Sequence, residues 1–425
     1  MVDSNCSPVF APPLQETLSP WAPFREPLFR SLWVAAVVSY TGTWMQNLGS
    51  GWLMASLTMS PFMVGLVQVA SSLPVFLVAL PAGALADIVD RRRLLILAQA
   101  WMVAASAALG ILTIAGLTTP WLLLLLTFAL GLGAVMNDPA WQAITPEIIS
   151  RDQHVSAVAL NSAGFNMARA VGPALGGAVI AAAGSGVAFL VNAASFFGVI
   201  FVLHRWRRAP RIIKRSRIID ATKEGIDYLR QSPSVKAVLV RTLAFSISAS
   251  ALLALLPIIA SPFGAIGYGI LLGSFGLGAL AGAVVLARLR RRFSVDSLVA
   301  ASTIIFALVT FAAGRVQSFS LLCLVLFFGG LAWISILASL NVTAQTMCPS
   351  WVLARSLSMY VLVLQGGMAA GSAVWGALAS SRGIPSALLY AAIALLLGLI
   401  TMKWYRLRAW QTDLVRFADA GITQG

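Results

Sequence analysis

Charge is what this chain of 425 residues has least of: Asp, Glu, Lys and Arg together make up 10% of it. Soluble domains are charged at about a quarter of their positions and apolar at just under half. Here apolar residues reach 59%, and mean hydropathy is +0.88. Those values exclude an ordinary soluble domain and imply a polytopic membrane protein. Acids are the scarcer sign, 14 against 29 Lys and Arg, for a net charge of +15. The basic residues sit between apolar stretches, as in membrane loops, and no nucleic-acid partner is expected. Cysteine is scarce and scattered (Cys6, Cys323, Cys348), with an odd count and no metal spacing, so no disulfide framework is expected. His154 and His204 lie far apart, and neither a metal cluster nor a nucleophile triad is visible. No GxxxxGK[ST] loop occurs, which excludes direct ATP drive by this chain. The first 30 residues contain no apolar core of a signal peptide, so no cleavable signal is expected.

What is present is a series of twelve apolar segments, at residues 31–55, 62–86, 94–116, 120–143, 155–183, 187–204, 236–260, 265–287, 295–314, 319–345, 354–380 and 384–404. They predict an all-α protein of twelve transmembrane helices. The Pro-rich residues 1–27 read as an N-terminal tail, 28–204 as a first six-helix bundle, 205–235 as a linker, 236–408 as a second bundle and 409–425 as a C-terminal tail. In the linker, Ile218, Ile219, Ile226 and Leu229 share one helical face, predicting a short helix on the membrane surface. Of the 29 basic residues, only Arg315 and Arg382 fall in the loops opposite the termini, and Arg169 falls inside a span. The remaining 26 share the side of the termini, which places both termini in the cytoplasm.

The halves resemble one another at an offset near 200. GALADIVDRR (83–92) aligns with AVVLARLRRR (283–292), Gln142-x-x-x-Pro146 with Gln345-x-x-x-Pro349, and VGPALGG (171–177) with AGSAVWG (370–376). Matches in corresponding loops and helices support two parallel repeats, as in secondary transporters.

Polar residues inside spans are the candidates for chemistry. Arg169 lies roughly 20 Å along its helix, near the middle of the hydrocarbon core, where a lone cation is costly unless it faces a cavity or a partner. Asp138, in MNDPAWQ, is the carboxylate deep enough in a span to couple protons to transport. The other reading makes it a structural cap where Pro139 breaks the helix. Two straight helices would set Asp138 and Arg169 about 13 Å apart in depth, too far for a direct bridge. Gln46, Asn47, Gln142, Asn166 and Gln365, with Asn192, Asn341 and Gln345, are candidates to line a pathway. Trp44, Trp141, Phe165 and Trp375 are candidates to stack a flat or apolar ligand; ordinary helix packing is the alternative for each. Gly172, Pro173, Gly176 and Gly177 allow close helix approach and a bend. Asp87, at the C-terminal end of its span, is disfavoured by the helix dipole and calls for a partner such as Arg91.

GALADIVDRRR at 83–93 resembles motif A of the major facilitator superfamily, and Gly172-Pro173-x-x-Gly176-Gly177 resembles the end of its exporter-type motif C. FRSLWVA (29–35), Gly42-x-Trp44-Met45-Gln46, DPAWQ (138–142), Pro146-Glu147 and ALNSAGFNMARAVGPALGG resemble the subgroup that contains enterobactin exporters and secretion effectors. The resemblance implies that superfamily's two-bundle fold, multi-pass in a bacterial inner (cell) membrane. It also implies a latch between the halves formed by Gly83, Asp87, Arg91 and Arg92. Departures are Ile88 and Asp90 within motif A, Ala159 and Ala168 in place of upstream glycines of motif C, and Thr127 where the arginine of motif B would stand.

Together these readings predict a non-enzymatic secondary transporter. It exports a siderophore-like or drug-like amphipathic molecule by alternating access, as a proton-coupled antiporter or with another coupling ion. It is expected to be a monomer amid membrane lipid, without metal or cofactor. The competing expectations are an uptake carrier or a lipid or lysolipid flippase of the same fold, and, in another class, a membrane-embedded enzyme or assembly factor.

Overall fold

The computed structural model describes residues 19–206, 232–347 and 353–407, and among those residues the regular secondary structure is all helical. The expected surface helix, the outer parts of both tails, Cys6 and Cys348 lie outside the described residues. The first spans are α1 (Pro27–Leu57), α2 (Pro61–Ile88), α3 (Arg91–Ile114) and α4 (Pro120–Ile148). The helix His154–Arg205 breaks at Gly184 into α5 (residues 154–183) and α6 (185–205). Then come α7 (Pro233–Ile259), α8 (Gly264–Leu289), α9 (Val295–Ala313), α10 (Phe319–Thr346), α11 (Leu353–Arg382), α12 (Ile384–Gly398) and the one-turn α13 (Thr401–Trp404).

Local chemistry sets these boundaries. Asp90, Thr119, Ser232 and Ser294 accept from backbone N–H groups three residues on, at Arg93, Leu122, Val235 and Ser297, and so cap α3, α4, α7 and α9. Proline opens α1, α2, α4 and α7, where its missing N–H costs nothing. Two observed elements depart from the predicted ones. α4 is not broken at Pro139: it runs through Pro139 and Pro146 to Ile148, five residues past the predicted end. A proline inside a span is tolerated because neighbouring helices hold the chain in line. The last segment, predicted as one stretch, divides at residues 399–400, where Leu399 and Ile400 donate three residues back and tighten the turn.

Nine segments among the described residues are long and apolar enough to cross a membrane, two of them 52 and 55 residues long. At 1.5 Å per residue those two exceed a bilayer roughly twofold, and both fold back at a glycine, Gly184 and Gly264, with positive φ. The chain is an all-α polytopic membrane protein.

Helices α1–α6 pack chiefly on one another, as do α7–α12, and the groups meet along two seams, α5 on α8 and α2 on α11. Both seams have backbone contact. A Cβ on Gly177 of α5 would lie 2.6 Å from the carbonyl oxygen of Ala265 on α8, and one on Gly269 of α8 2.6 Å from that of Pro173. Across the other seam, a Cβ on Gly65 would meet the carbonyl of Ser372 at 2.6 Å, and Phe62 donates its N–H to Ser380 Oγ at 3.0 Å. Phe62 begins α2 and Ser380 ends α11, so this tie lies on the face opposite the termini.

Repeat symmetry is carried by glycines. Gly172 of α5 packs against α1 and Gly177 against α8; Gly371 and Gly376, their counterparts at an offset of 199, pack on α7 and α2 respectively. Gly184 (φ 83, ψ 165) and Gly383 (φ 84, ψ 157), separated by the same 199, turn α5 into α6 and α11 into α12 in the same conformation.

Candidate substrate site

Four side chains from α1 and α5 meet where the α5–α8 seam begins. Trp44 stands one turn beyond Tyr40 on α1, and Arg169 one turn beyond Phe165 on α5, so each helix presents two of them on one face. The Arg169 guanidinium carbon lies 5.6 Å from the centre of the Trp44 ring. Phe165 meets Tyr40 and Trp44 edge-on, with ring centres 5.3 and 6.3 Å apart. Close approach depends on Gly172, whose absent Cβ would be 2.6 Å from Trp44 Cβ, and on Gly176, seated on Met45. The Arg169 carbonyl oxygen lies 3.2 Å from the Cβ position of Gly276 on α8, so the cluster borders the second half.

Asp138 is carried by α4, which also packs on α1. It is exposed on that helix. Its neighbour Asn137 is buried and accepts from Gln99 Nε2 of α3 at 2.9 Å. That buried pair ties α4 to α3. Because α4 continues to Ile148, Asp138 stands ten residues from its end rather than near a break. The depth mismatch with Arg169 shrinks to about 7 Å, although the described residues contain no Asp138–Arg169 ion pair.

The remaining predicted residues are dispersed. Gln46, 1% exposed, accepts from Asn192 Nδ2 at 2.6 Å and from the Ser106 hydroxyl, so it ties α1, α3 and α6 together inside the first bundle, away from the cluster. Asn47 is exposed on α1, and Gln142 is exposed on α4 one turn beyond Asp138. Asn166 donates to Ser162 O of its own helix, and Gln345 to Asn341. Gln365 is half-buried on α11, beside the contact of Gly366 with Phe76. Trp375 is buried and donates to Ile247 O at 2.7 Å; Trp141 packs into the apolar core among α1, α3, α4 and α6. Tyr40 is the member that sequence reasoning missed. Its signal was available: an aromatic residue four positions before Trp44.

At the terminal face, Arg91 pairs with Glu147 at 2.8 Å, and Arg92 donates to the carbonyls of Leu203 and His204, both at 2.7 Å. These contacts join helices of the first half. The side chains of residues 83–88, including Asp87, lie outside the described residues. In the aligned stretch of the second half, Arg290 reaches Ser339 Oγ at 3.4 Å, and burial lowers its guanidinium pKa.

One cation thus borders three aromatic rings on neighbouring helices of the first half, with a carboxylate on α4, a setting suited to a ligand with a ring and a polar or charged group. The chain is similar over 396 residues, at 25% identity, to the enterobactin exporter EntS of Escherichia coli O1:K1 / APEC, covering 89% of this chain and 94% of that protein. It is 23% identical over 274 residues to the staphyloferrin A transporter of Staphylococcus aureus (strain NCTC 8325 / PS 47), covering 63% and 69%. A bacterial homologue of the human lysosomal transporter Spinster, solved in an inward-facing, occupied conformation, shares the fold with a TM-score of 0.70 at 13% identity, covering 91% of this chain and 97% of that one. The family model of transmembrane secretion effectors matches residues 18–419. The chain therefore belongs to the transmembrane secretion effector family of major facilitator superfamily transporters, and is a transporter rather than an enzyme.

Proposed function

We propose that this chain is a secondary active exporter of an amphipathic small molecule, siderophore-like or drug-like, working by alternating access through two six-helix bundles with twelve crossings. The observation that carries the reading is the cluster of Arg169 with Trp44, Tyr40 and Phe165. Arg169 attracts an anionic or polar group, the rings stack an apolar one, and Asp138 takes up and releases the coupling proton. Asn47, Gln142 and Gln365 extend the pathway, whereas Gln46 stays outside it as bundle scaffold. With the termini in the cytoplasm, as the basic residues argue, the two seams close the outer side and the conformation is inward-facing. Similarity to two siderophore transporters favours a chelator of that kind as substrate.

The test uses the full chain in proteoliposomes with an imposed pH gradient, with enterobactin and ethidium as separate probes. Gradient-driven movement of at least one probe is expected, and Asp138→Asn is expected to abolish its dependence on the gradient. Transport by Asp138→Asn that still followed the gradient would remove Asp138 from coupling.

A second reading has one specific observation in its favour. A cleft of about 480 Å³ at the α2–α11 seam is lined only by apolar side chains and glycines, among them Leu73, Phe76, Leu243 and Leu362. It suits the hydrocarbon tail of a lipid or lysolipid cargo. Translocation of fluorescent lysolipid in the same vesicles, without movement of enterobactin or ethidium, would establish this reading over export.

A further inference from the structure

Where α1 begins and α6 ends, the outer surface of the first half holds a groove of about 350 Å³, lined by Leu28, Ser31, Phe201, Val202, Arg205 and Trp206. The first turn of one span and the last turn of another place it at headgroup depth, on the side of the termini. Its walls are mostly apolar, and Phe201 is 60% exposed, continuing toward the equally exposed Phe197 one turn deeper in the span. Arg205 supplies the charge, its guanidinium carbon 5.1 Å from the centre of the Phe201 ring.

The ordinary use of a cation at this position is to neutralise the carbonyl end of the helix. That use is already taken: Arg92 reaches across from α3 to the carbonyls of Leu203 and His204. Arg205 is exposed and has no carboxylate partner among the described residues, and no acid lines the groove. Ser31 Oγ bonds back to Pro27 O and Leu28 O at 3.0 Å each, so its proton is engaged and anion recognition falls to Arg205 and the indole N–H of Trp206.

A positive head above an apolar trough in the wall of a membrane protein complements one chemistry. We propose that this groove binds an anionic phospholipid of the leaflet on the terminal side, its phosphate on Arg205 and Trp206 and its chain along Phe201 and Phe197. A free phosphate would gain nothing from the apolar walls, and a zwitterionic lipid would bring a cation against Arg205. Basic pockets at the ends of spans are suited to anionic headgroups, at about 1 kcal/mol per basic residue, or roughly fivefold in affinity.

Native mass spectrometry of the purified full chain, offered equimolar dioleoylphosphatidylglycerol and dioleoylphosphatidylcholine, tests this without reference to transport. Retention of phosphatidylglycerol is expected to exceed that of phosphatidylcholine, and to fall about fivefold in Arg205→Ala but not in Arg93→Ala, an exposed arginine of the same face. Arg205→Gln carries the same expectation should the alanine variant fail to fold. Phe201→Ala is expected to weaken phosphatidylglycerol retention as well. Equal retention of the two lipids, or equal retention by the Arg205 and Arg93 variants, would overturn the proposal. So would displacement of the lipid by equimolar sn-glycerol 3-phosphate, which would make this a site for free anions.

Discussion

A guanidinium in a membrane interior has to be held by something, and Arg169 is held by the face of Trp44 rather than by an acid. Cation–π contacts range from about 0.5 to 2 kcal/mol as water is excluded, so ring and charge are separable by substitution. Arg169→Lys keeps the charge but loses the planar stacking surface, and Arg169→Ala loses both. Transport of whichever probe the wild type moves is expected to fall about tenfold or more in Arg169→Ala and by a smaller factor in Arg169→Lys. Trp44→Ala is expected to lie between them. Equal activity of Arg169→Ala and wild type would reduce the arginine to scaffold. Arg241 is a different kind of cation. It is 5% exposed at the start of α7 and pairs with Asp296, which also accepts from the backbone N–H of Leu407. Removing one partner of a buried pair strands the other and costs about 3–5 kcal/mol, less where water reaches it, as it reaches Asp296. Arg241→Ala and Asp296→Ala are both expected to lower the melting temperature in detergent. Asp296→Asn, which still accepts from Leu407, is expected to lower it least.

At the scale of elements, the repeat shows more plainly in backbone geometry than in residue identity. Gly184 and Gly383 share a conformation that is almost confined to glycine, and a non-glycine residue there costs about 1–3 kcal/mol. The space around Gly184 is open, with no atom within 4 Å of a would-be Cβ. Gly184→Ala therefore isolates the conformational cost from any clash. Alanine at either position is expected to lower thermal stability by similar amounts, while Gly198→Ala, whose Cβ meets only Ala35 at 3.9 Å, is expected to be neutral. Helix ends were legible from sequence to within a few residues because caps, opening prolines and hydropathy changes coincide there. The turn at Gly184 was legible as a break between apolar segments but not as a match to Gly383, since nothing in a glycine's identity announces the sign of φ. Continuity of α4 through Pro139 was not legible either. A lone sequence cannot show that neighbouring helices hold a proline-containing segment straight. Site residues divided the same way. Arg169 and Asp138 stood out because charge is conspicuous in an apolar span, whereas Gln46 and Gln365 have the same composition signal, and only packing separates the interior of a bundle from the space between bundles.

For the whole molecule, the decisive feature is that the halves touch through backbone-close seams toward the face opposite the termini. A Cβ on Gly177 or Gly269 would collide with backbone rather than with a movable side chain. Such seams are complementary only while shut, so they specify a discrete closed arrangement and not a graded one. If transport requires both seams to part, holding one shut must stop it without touching the substrate cluster. Phe62 N donates to Ser380 Oγ, which places the start of α2 directly on the end of α11. In a chain with Cys6, Cys323 and Cys348 replaced by serine, the pair Phe62→Cys and Ser380→Cys is expected to cross-link and to abolish transport, with activity restored by reductant. The same pair reports orientation. With cytoplasmic termini the seam faces outward, so a membrane-impermeant thiol cross-linker added to intact cells should join the two cysteines; added to inside-out vesicles, it should not. Cross-linking that left transport intact would mean the α2–α11 seam stays closed throughout the cycle. The opening motion would then have to be sought at α5 and α8 alone, where Arg169 already lies at the edge of the contact.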